Sequence, residues 1–353
     1  MVNQPFSYDK IAAGSGILGY EAELAFMADL LEKGHHSLVL YGGPRSGKET
    51  LVTEALERWH KLQPNGILCR IDLFNVRTCE AFVTLWRGRM RTCAQEVNRH
   101  ALLPFDIDID GIPESKLFDL PGIIASEAGA PMVIWFKEFQ NLLAAECDTF
   151  RIDQLDKAWS RQRGVKFIFT GSCINAMKSI FEERKCFYGM SRPLELLPPD
   201  RKCVCDYICN TFIKYGRVIE MEEALAIYDM AGGNMWYVNQ LCAFCNAMPA
   251  GYINRKIVNQ ARDTLLSLHV PRFKAVMSDL TPNQENLLHA VVDGVRKFTS
   301  SEMMERYRLN SSANVARVKE ALQKKEVITF DSEENARIID PLFEYWLRNY
   351  YFI

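Results

Sequence analysis

Ser37-Leu38-Val39-Leu40-Tyr41, followed by Gly42-Gly43-Pro44-Arg45-Ser46-Gly47-Lys48-Glu49-Thr50, is the stretch that decides the reading. Its first part is a short apolar run, expected of a buried strand. Gly42 to Lys48 fits the spacing G-x-x-x-x-G-K, and a helical pattern runs on from about Lys48 to Leu62. Strand, glycine-rich turn and helix in that order are what phosphate binding requires. The glycines let the backbone curl with its N–H groups inward, and the helix start adds partial positive charge. Lys48 is then placed to reach the outer phosphates of a nucleotide. One position breaks the pattern. The residue after the lysine is normally Ser or Thr, whose hydroxyl ligates Mg²⁺, and here it is Glu49. Thr50 comes next, but one step along a helix turns a side chain by roughly 100°, so Thr50 does not simply replace the hydroxyl.

Phosphate loops of hydrolases work with a second buried strand that ends in two acids, one for the Mg²⁺ shell and one for the attacking water. Met132-Val133-Ile134-Trp135-Phe136 is such a strand, and it ends in Lys137-Glu138. The water-polarising acid is kept as Glu138. Lys137 stands where the metal-holding acid belongs.

Working outward, short apolar runs alternate with helical patterns. A helix is expected over Glu21 to Glu32, a strand over Gly66 to Asp72, and helices over Cys79 to Arg99 and Phe150 to Arg163. Pro104 to Pro113 reads as an acidic loop. Val165 to Phe169 is a further buried strand, running into Thr170-Gly171-Ser172, and the sheet is expected to close near Glu195 to Leu197. This alternation predicts a parallel sheet with crossover helices. Pro198-Pro199 breaks the pattern. From about Asp200 to Ser278 the chain reads as all-helical. Beyond Thr281-Pro282, three helices and a hairpin (Val327 to Phe330 with Ala336 to Ile339) predict a winged helix-turn-helix. The expected domains are therefore 1–198, 199–280 and 281–353.

Several segments taken in order resemble the archaeal-type AAA-like ATPases of the STAND group of P-loop NTPases, common in archaea and Bacteroidetes. They are Phe6 to Leu24, Gly43-Pro44-Arg45, Ile71-Asp72-Leu73-Phe74, Glu138-Phe139-Gln140-Asn141, Thr170-Gly171-Ser172, Tyr188-Gly189, Gly232-Gly233-Asn234, and Asp340-Pro341-Leu342-Phe343 with Trp346-Leu347-Arg348. The resemblance implies an α/β P-loop NTPase fold with a helical lid and a C-terminal winged helix, and ATP as ligand. It implies Thr170 or Ser172 as the polar sensor after the fourth strand. The family's arginine after Tyr-Gly is displaced, with Met190 in its place and Arg192 following as the candidate phosphate contact. The chain departs from the family pattern at Tyr20, Glu49, Lys137 and Met190.

The two departures at the metal site are complementary, an acid for a hydroxyl and a base for an acid. Glu49 and Lys137 are expected to pair where Mg²⁺ would sit, leaving a protein that binds nucleotide and hydrolyses it poorly. The rival reading makes Glu49 a direct carboxylate ligand for Mg²⁺, with Glu138 as base. On either reading the chain is a regulatory switch, whereas in a third it is a DNA-binding or scaffold protein with a vestigial loop. A ring-forming loader would need an intersubunit arginine that the sequence does not identify.

Arg296 to Lys325 holds eight Lys or Arg against three Glu. Arg317, Lys319, Lys324 and Lys325 on the last helix of this run are candidate DNA contacts. The same helix carries a buried stripe at Val315, Val318, Ala321 and Leu322, so domain packing is the alternative. Protein partners or self-association remain open. The net charge of −2 leaves no global field to draw the chain onto nucleic acid or membrane. Eleven cysteines, an odd number, and a polar start without an apolar leader point to reduced thiols in a cytoplasm. Cys203, Cys205 and Cys209, like Cys242 and Cys245, fall in predicted helices and read as small buried residues rather than metal ligands. The histidines, His35 and His36 among them, form no metal or catalytic pattern.

Overall fold

The structure is a computed structural model that describes residues 5–9, 17–32, 37–100, 107–147 and 150–353. His35, His36, the middle of the Phe6 to Leu24 segment and the start of the Pro104 to Pro113 loop lie outside the described residues. The chain divides into two compact units where the sequence suggests three domains. One is Glu21–Gly42 with Lys48–Leu196, and the other is Met1–Tyr20, Gly43–Gly47 and Leu197–Ile353.

In the first unit five parallel strands form one sheet. They are β1 (Ser37–Tyr41), β2 (Ile67–Asp72), β3 (Met132–Lys137), β4 (Val165–Gly171) and β5 (Ser191–Glu195), in the order β2-β3-β4-β1-β5. Parallel neighbours need crossovers that cover both faces. The principal helices are α1 (Glu21–Glu32), α2 (Lys48–Leu62), α3 (Cys79–His100), α4 (Leu120–Ala128) and α5 (Ile152–Trp159). The continuous apolar runs are buried as expected: every residue of β1 is buried, and so are Met132 to Phe136 in β3. Helix α2 buries Leu51, Val52, Ala55, Leu56 and Trp59, a stripe at helical spacing. Aromatic rings fill one side of the sheet, with Trp159 stacked on Phe167 at 4.8 Å and on Phe136 at 5.1 Å.

Some bounds, and one helix, differ from the sequence reading. Helix α5 stops at Trp159 because the Arg161-Gln162-Arg163 stretch is a turn that leads directly into β4. The last strand ends at Glu195 and begins at Ser191, so it includes Arg192. Helix α4 was not anticipated: its sequence is apolar on several sides and opens with Leu120-Pro121, which carries little periodicity.

The second unit is helical. It contains α6 (Arg201–Lys214), α7 (Met221–Ala231), α8 (Met235–Ala247) and α9 (Arg255–Ser278), then α10 (Pro282–Val292), α11 (Ser301–Arg306), α12 (Ser312–Lys324), the hairpin β6 (Ile328–Phe330) with β7 (Ala336–Ile338), and α13 (Pro341–Trp346). Val218–Ile219 and Tyr252–Ile253 add a short parallel pair inside the stretch read as all-helical. One hydrophobic core runs from Phe6 through α6–α9 into Leu287, Val315, Leu342 and Leu347. That continuity is why the helical lid and the winged helix form a single body. Helix caps mark the joints: Asp200 accepts from the Cys203 amide and Asn254 from the Ile257 amide, and Thr281 with Gln284 forms a capping box at α10.

The tip of the glycine-rich loop, Gly43–Gly47, belongs by its contacts to this helical unit. The Arg45 guanidinium lies 3.7 Å over the Trp236 ring centre. Ile339 stands 3.5 Å from where a side chain at Gly43 would begin.

Candidate functional site

The loop leaves β1, which lies between β4 and β5, at its carboxyl end, the position where open parallel sheets bind ligands. It is locally curled. Arg45 and Gly47 adopt left-handed φ values of 58° and 98°, and the Ser46 amide donates to the Gly43 carbonyl at 3.3 Å. At the φ of Gly47 any side chain would be strained. Lys48 then opens α2 and is only 8% exposed. Its Nζ donates to the Gly42 carbonyl oxygen at 2.8 Å. Burial lowers the Lys48 pKa to about 8, with the Glu138 carboxylate and the Cys173 side chain pulling the other way. A buried ammonium beside the loop is an anion-binding group held ready. Thr50 lies half-buried on α2, past Glu49.

Strand register builds the rest of the site. Asp72 at the end of β2 pairs with Lys137 at the end of β3. Lys137 Nζ reaches Glu49 Oε1 at 2.8 Å and Asp72 Oδ2 at 3.6 Å. The expected Glu49–Lys137 pair is therefore formed, and Asp72 is a third member that the sequence reading did not single out. Partial burial pulls the Lys137 pKa down, but the two carboxylates outweigh it and the net shift is upward. A lysine held charged in this place repels a divalent cation. The donor set does not fit Mg²⁺: the hydroxyl and the acid that would hold it are replaced by Glu49 and Lys137, and the Lys137 ammonium lies between Glu49 and Asp72.

Glu138 follows at φ 54° and turns the chain into the short helix Phe139–Asn141. Its Oε2 accepts from Gln140 Nε2 at 2.7 Å, from the Ser172 amide at 3.3 Å and from the Ser172 hydroxyl. The structure thus separates the two sensor candidates. Ser172 sits on Glu138. Thr170 is buried and faces inward, accepting from Trp135 Nε1 at 3.0 Å and donating to the Phe136 carbonyl at 3.0 Å. Its hydroxyl bonds within the sheet, whereas that of Ser172 reaches Glu138. Arg192 is also not brought to the site. Register places it beside Leu38, three residues before the end of β1, so it lies roughly 10 Å back along the strand at about 3.3 Å per residue.

In the helical unit the four candidate DNA contacts divide. Lys319 Nζ lies 5.0 Å from the Phe298 ring centre and 4.9 Å from that of Phe330. Lys325 is bound to Asp279 through both its carbonyl and its carboxylate. Arg317 and Lys324 are exposed. The turn of the wing is acidic, with Asp331, Glu333 and Glu334. Cys205, Cys242 and Cys245 are fully buried among apolar side chains, as read, and burial raises their pKa values. Among the described residues no helix is long and apolar enough to cross a membrane.

A Walker-type ATPase of Pyrococcus abyssi superposes over 98% of this chain and 99% of its own, with a TM-score of 0.72 at 16% identity. The fold is that of a Walker-type ATPase. The ORC2 protein of Aeropyrum pernix, solved as ADPNP–ADP complexes, matches over 96% of this chain and 95% of its own, with a TM-score of 0.60 at 12% identity. The ORC1 protein of Aeropyrum pernix, solved in complex with DNA, matches over 99% and 97%, with a TM-score of 0.51 at 12% identity. A family model described as "Probable winged helix domain" matches residues 271–349. It begins within α9, consistent with the core that α9 shares with the C-terminal helices. A comparison with curated proteins gave no match. Within this Walker-type fold, the positions that depart from the usual pattern are Glu49 and Lys137.

Proposed function

We propose that this protein is a nucleotide-binding switch of the AAA+/STAND type, which holds ATP without a competent Mg²⁺ site and hydrolyses it poorly. The curled loop amides and Lys48 bind the phosphate tail. Lys137, fixed between Glu49 and Asp72, supplies the positive charge that the metal would otherwise bring. The observation that carries the reading is the 2.8 Å pair between Lys137 and Glu49. Glu138 remains in the position of the water-polarising acid, and its contacts to Ser172 and Gln140 hold it against the protein. The winged helix acts as a packing module: its core is continuous with the lid, two of its four candidate DNA-contacting side chains are engaged within the chain, and its wing is acidic.

The first test is the nucleotide content of the purified protein, released by denaturation and read by chromatography. Adenine nucleotide should accompany the native chain and be lost from the Lys48→Ala variant. A native chain that carries none and binds none when it is added would overturn the reading in favour of a vestigial loop.

A further inference from the structure

Gly232-Gly233-Asn234 and the run from Asp340 to Arg348 play no part in phosphate-loop chemistry, yet they meet in the helical unit at a groove of about 470 Å³. Gly232 has a left-handed φ of 53°, and a side chain there would come within 2.3 Å of Pro341 Cβ. Helix α13 is therefore seated directly on the turn that ends α7. One wall of the groove is α9, which contributes Arg255, Asn259 and Arg262. Their spacing of i, i+4 and i+7 puts all three on one helix face. The other wall contributes Tyr345, Arg348 and Asn349.

The three guanidiniums are held lightly. Arg255 pairs with Glu222 at 2.8 Å and stands 3.8 Å from the mostly buried Glu223, Arg262 pairs with Asp263 at 2.9 Å and donates to Asn259 Oδ1 at 3.2 Å, and Arg348 pairs with Glu344 at 3.0 Å. Glu222, Asp263 and Glu344 are at the surface, and exposed pairs of this kind contribute little. Each guanidinium keeps further N–H donors, whose fork matches phosphate oxygens. The lining carries three arginines against two acids, Asp229 and Glu344, so it is net positive. Aromatic surface lies beside it: the Tyr345 and Tyr350 rings are 6.4 Å apart, and Tyr350 is exposed.

We propose that this groove binds a single strand of nucleic acid. Arg255, Arg262 and Arg348 hold consecutive phosphates, Asn259 and Asn349 bond to sugar or base edges, and Tyr345 and Tyr350 receive unstacked bases. Single-strand sites combine these parts, a basic track and aromatic platforms. A duplex keeps its base faces stacked and offers the rings nothing. An acidic peptide could satisfy the arginines but would leave the exposed Tyr350 ring unused. The site is separate from the phosphate loop and does not rest on nucleotide binding.

The test is fluorescence anisotropy of the full chain with labelled oligothymidylate, a duplex of the same length, and poly-glutamate as the acidic-peptide probe. Oligothymidylate should bind more tightly than the other two. Its log affinity should fall with log salt at a slope of about −2, as three single-strand phosphate contacts give. Arg255→Glu with Arg348→Glu should weaken binding at least tenfold, while Arg317→Glu with Lys324→Glu on α12 should leave it unchanged. Thermal melting monitors folding of each variant. If the arginine pair fails to fold, Tyr350→Ala, a change at an exposed ring, should still weaken binding several-fold. No binding of oligothymidylate, equal or tighter binding of poly-glutamate, or affinity that depends on α12 instead of the groove would each overturn the proposal.

Discussion

Lys137 Nζ at the end of β3 lies 2.8 Å from Glu49 Oε1 in the first turn of α2, where a Walker-type hydrolase would gather ligands for a metal ion. Neither residue is conservative for its position, but together they restore charge balance, and Asp72 at 3.6 Å completes the set. An ammonium between two carboxylates is stable in itself and leaves no vacancy for a dication. The pair is partly exposed, so its own worth is about 1 kcal/mol or less. Its consequence lies in what it excludes.

Reversing the exchange should create the missing site. Lys137→Asp alone puts three carboxylates together and should lower the melting temperature by several degrees, at roughly 2–4 °C per kcal/mol for a unit of this size. Added Mg²⁺ should restore it. Glu49→Thr with Lys137→Asp should make nucleotide affinity depend on Mg²⁺ by at least about tenfold. Calorimetry with and without Mg²⁺ checks both. A double variant indifferent to Mg²⁺ would show that the pair is not what blocks the metal.

Lys48 should report its burial through pH. Its pKa is lowered from 10.5 to about 8, so the protonated form is disfavoured in the folded chain. The resulting penalty is full below pH 8 and vanishes as pH rises toward 10.5, which makes the nucleotide-free protein gain stability across that window. Nucleotide affinity should move the other way, falling above pH 8 as the charge is lost. Lys48→Met should stabilise the empty protein by up to roughly 3 kcal/mol at pH 7 while abolishing nucleotide binding. Titration calorimetry and thermal melting between pH 7 and 9.5 measure the two opposed trends.

The two hydroxyls after the fourth strand should behave differently. Thr170→Val removes the acceptor of Trp135 Nε1 and leaves that buried N–H unpaired, at a cost of about 1–3 kcal/mol. Nucleotide affinity should be unchanged. Ser172→Ala frees Glu138 from one donor and should change affinity or residual turnover with little loss of stability. Denaturant unfolding beside nucleotide titration separates them. Equal stability effects would mean that Thr170 is not the structural member.

Arg45 and Trp236 make a contact that can be followed optically. A cation over an indole is worth about 0.5–1 kcal/mol at an exposed site, so Arg45→Ala should destabilise the helical unit by that amount. Because Arg45 belongs to the loop that curls around phosphate, nucleotide should alter Trp236 emission in the native chain and not in Trp236→Phe. An unchanged spectrum difference between the two would dissociate the loop tip from Trp236.

Much of this was legible in the sequence, for local reasons. A run such as Met132 to Phe136 can only be a strand buried on both faces, and the order strand, glycine turn, helix follows from short-range chemistry. The Glu49–Lys137 pair was readable because each residue breaks a pattern in a way the other repairs. The misses are non-local. Arg192 was named only through the family resemblance, as the arginine following Tyr188-Gly189, and the register of β5 on β1 sets it beside Leu38. Which hydroxyl meets Glu138 depends on where β4 ends, and it ends at Gly171, so only Ser172 has turned out of the sheet. Asp72 joins Lys137 through the pairing of β2 with β3, and Trp236 meets Arg45 through a fold that brings distant helices to the loop. The lid and winged helix looked separable because Thr281-Pro282 is a strong helix start, but a helix start interrupts the backbone pattern without dividing a hydrophobic core.

The most direct measurement is isothermal titration with ATP in the presence and absence of Mg²⁺, with phosphate release followed in parallel. The account predicts an affinity that changes little between the two conditions and no steady turnover in either. Tight binding that requires Mg²⁺, accompanied by continuous phosphate release, would contradict it.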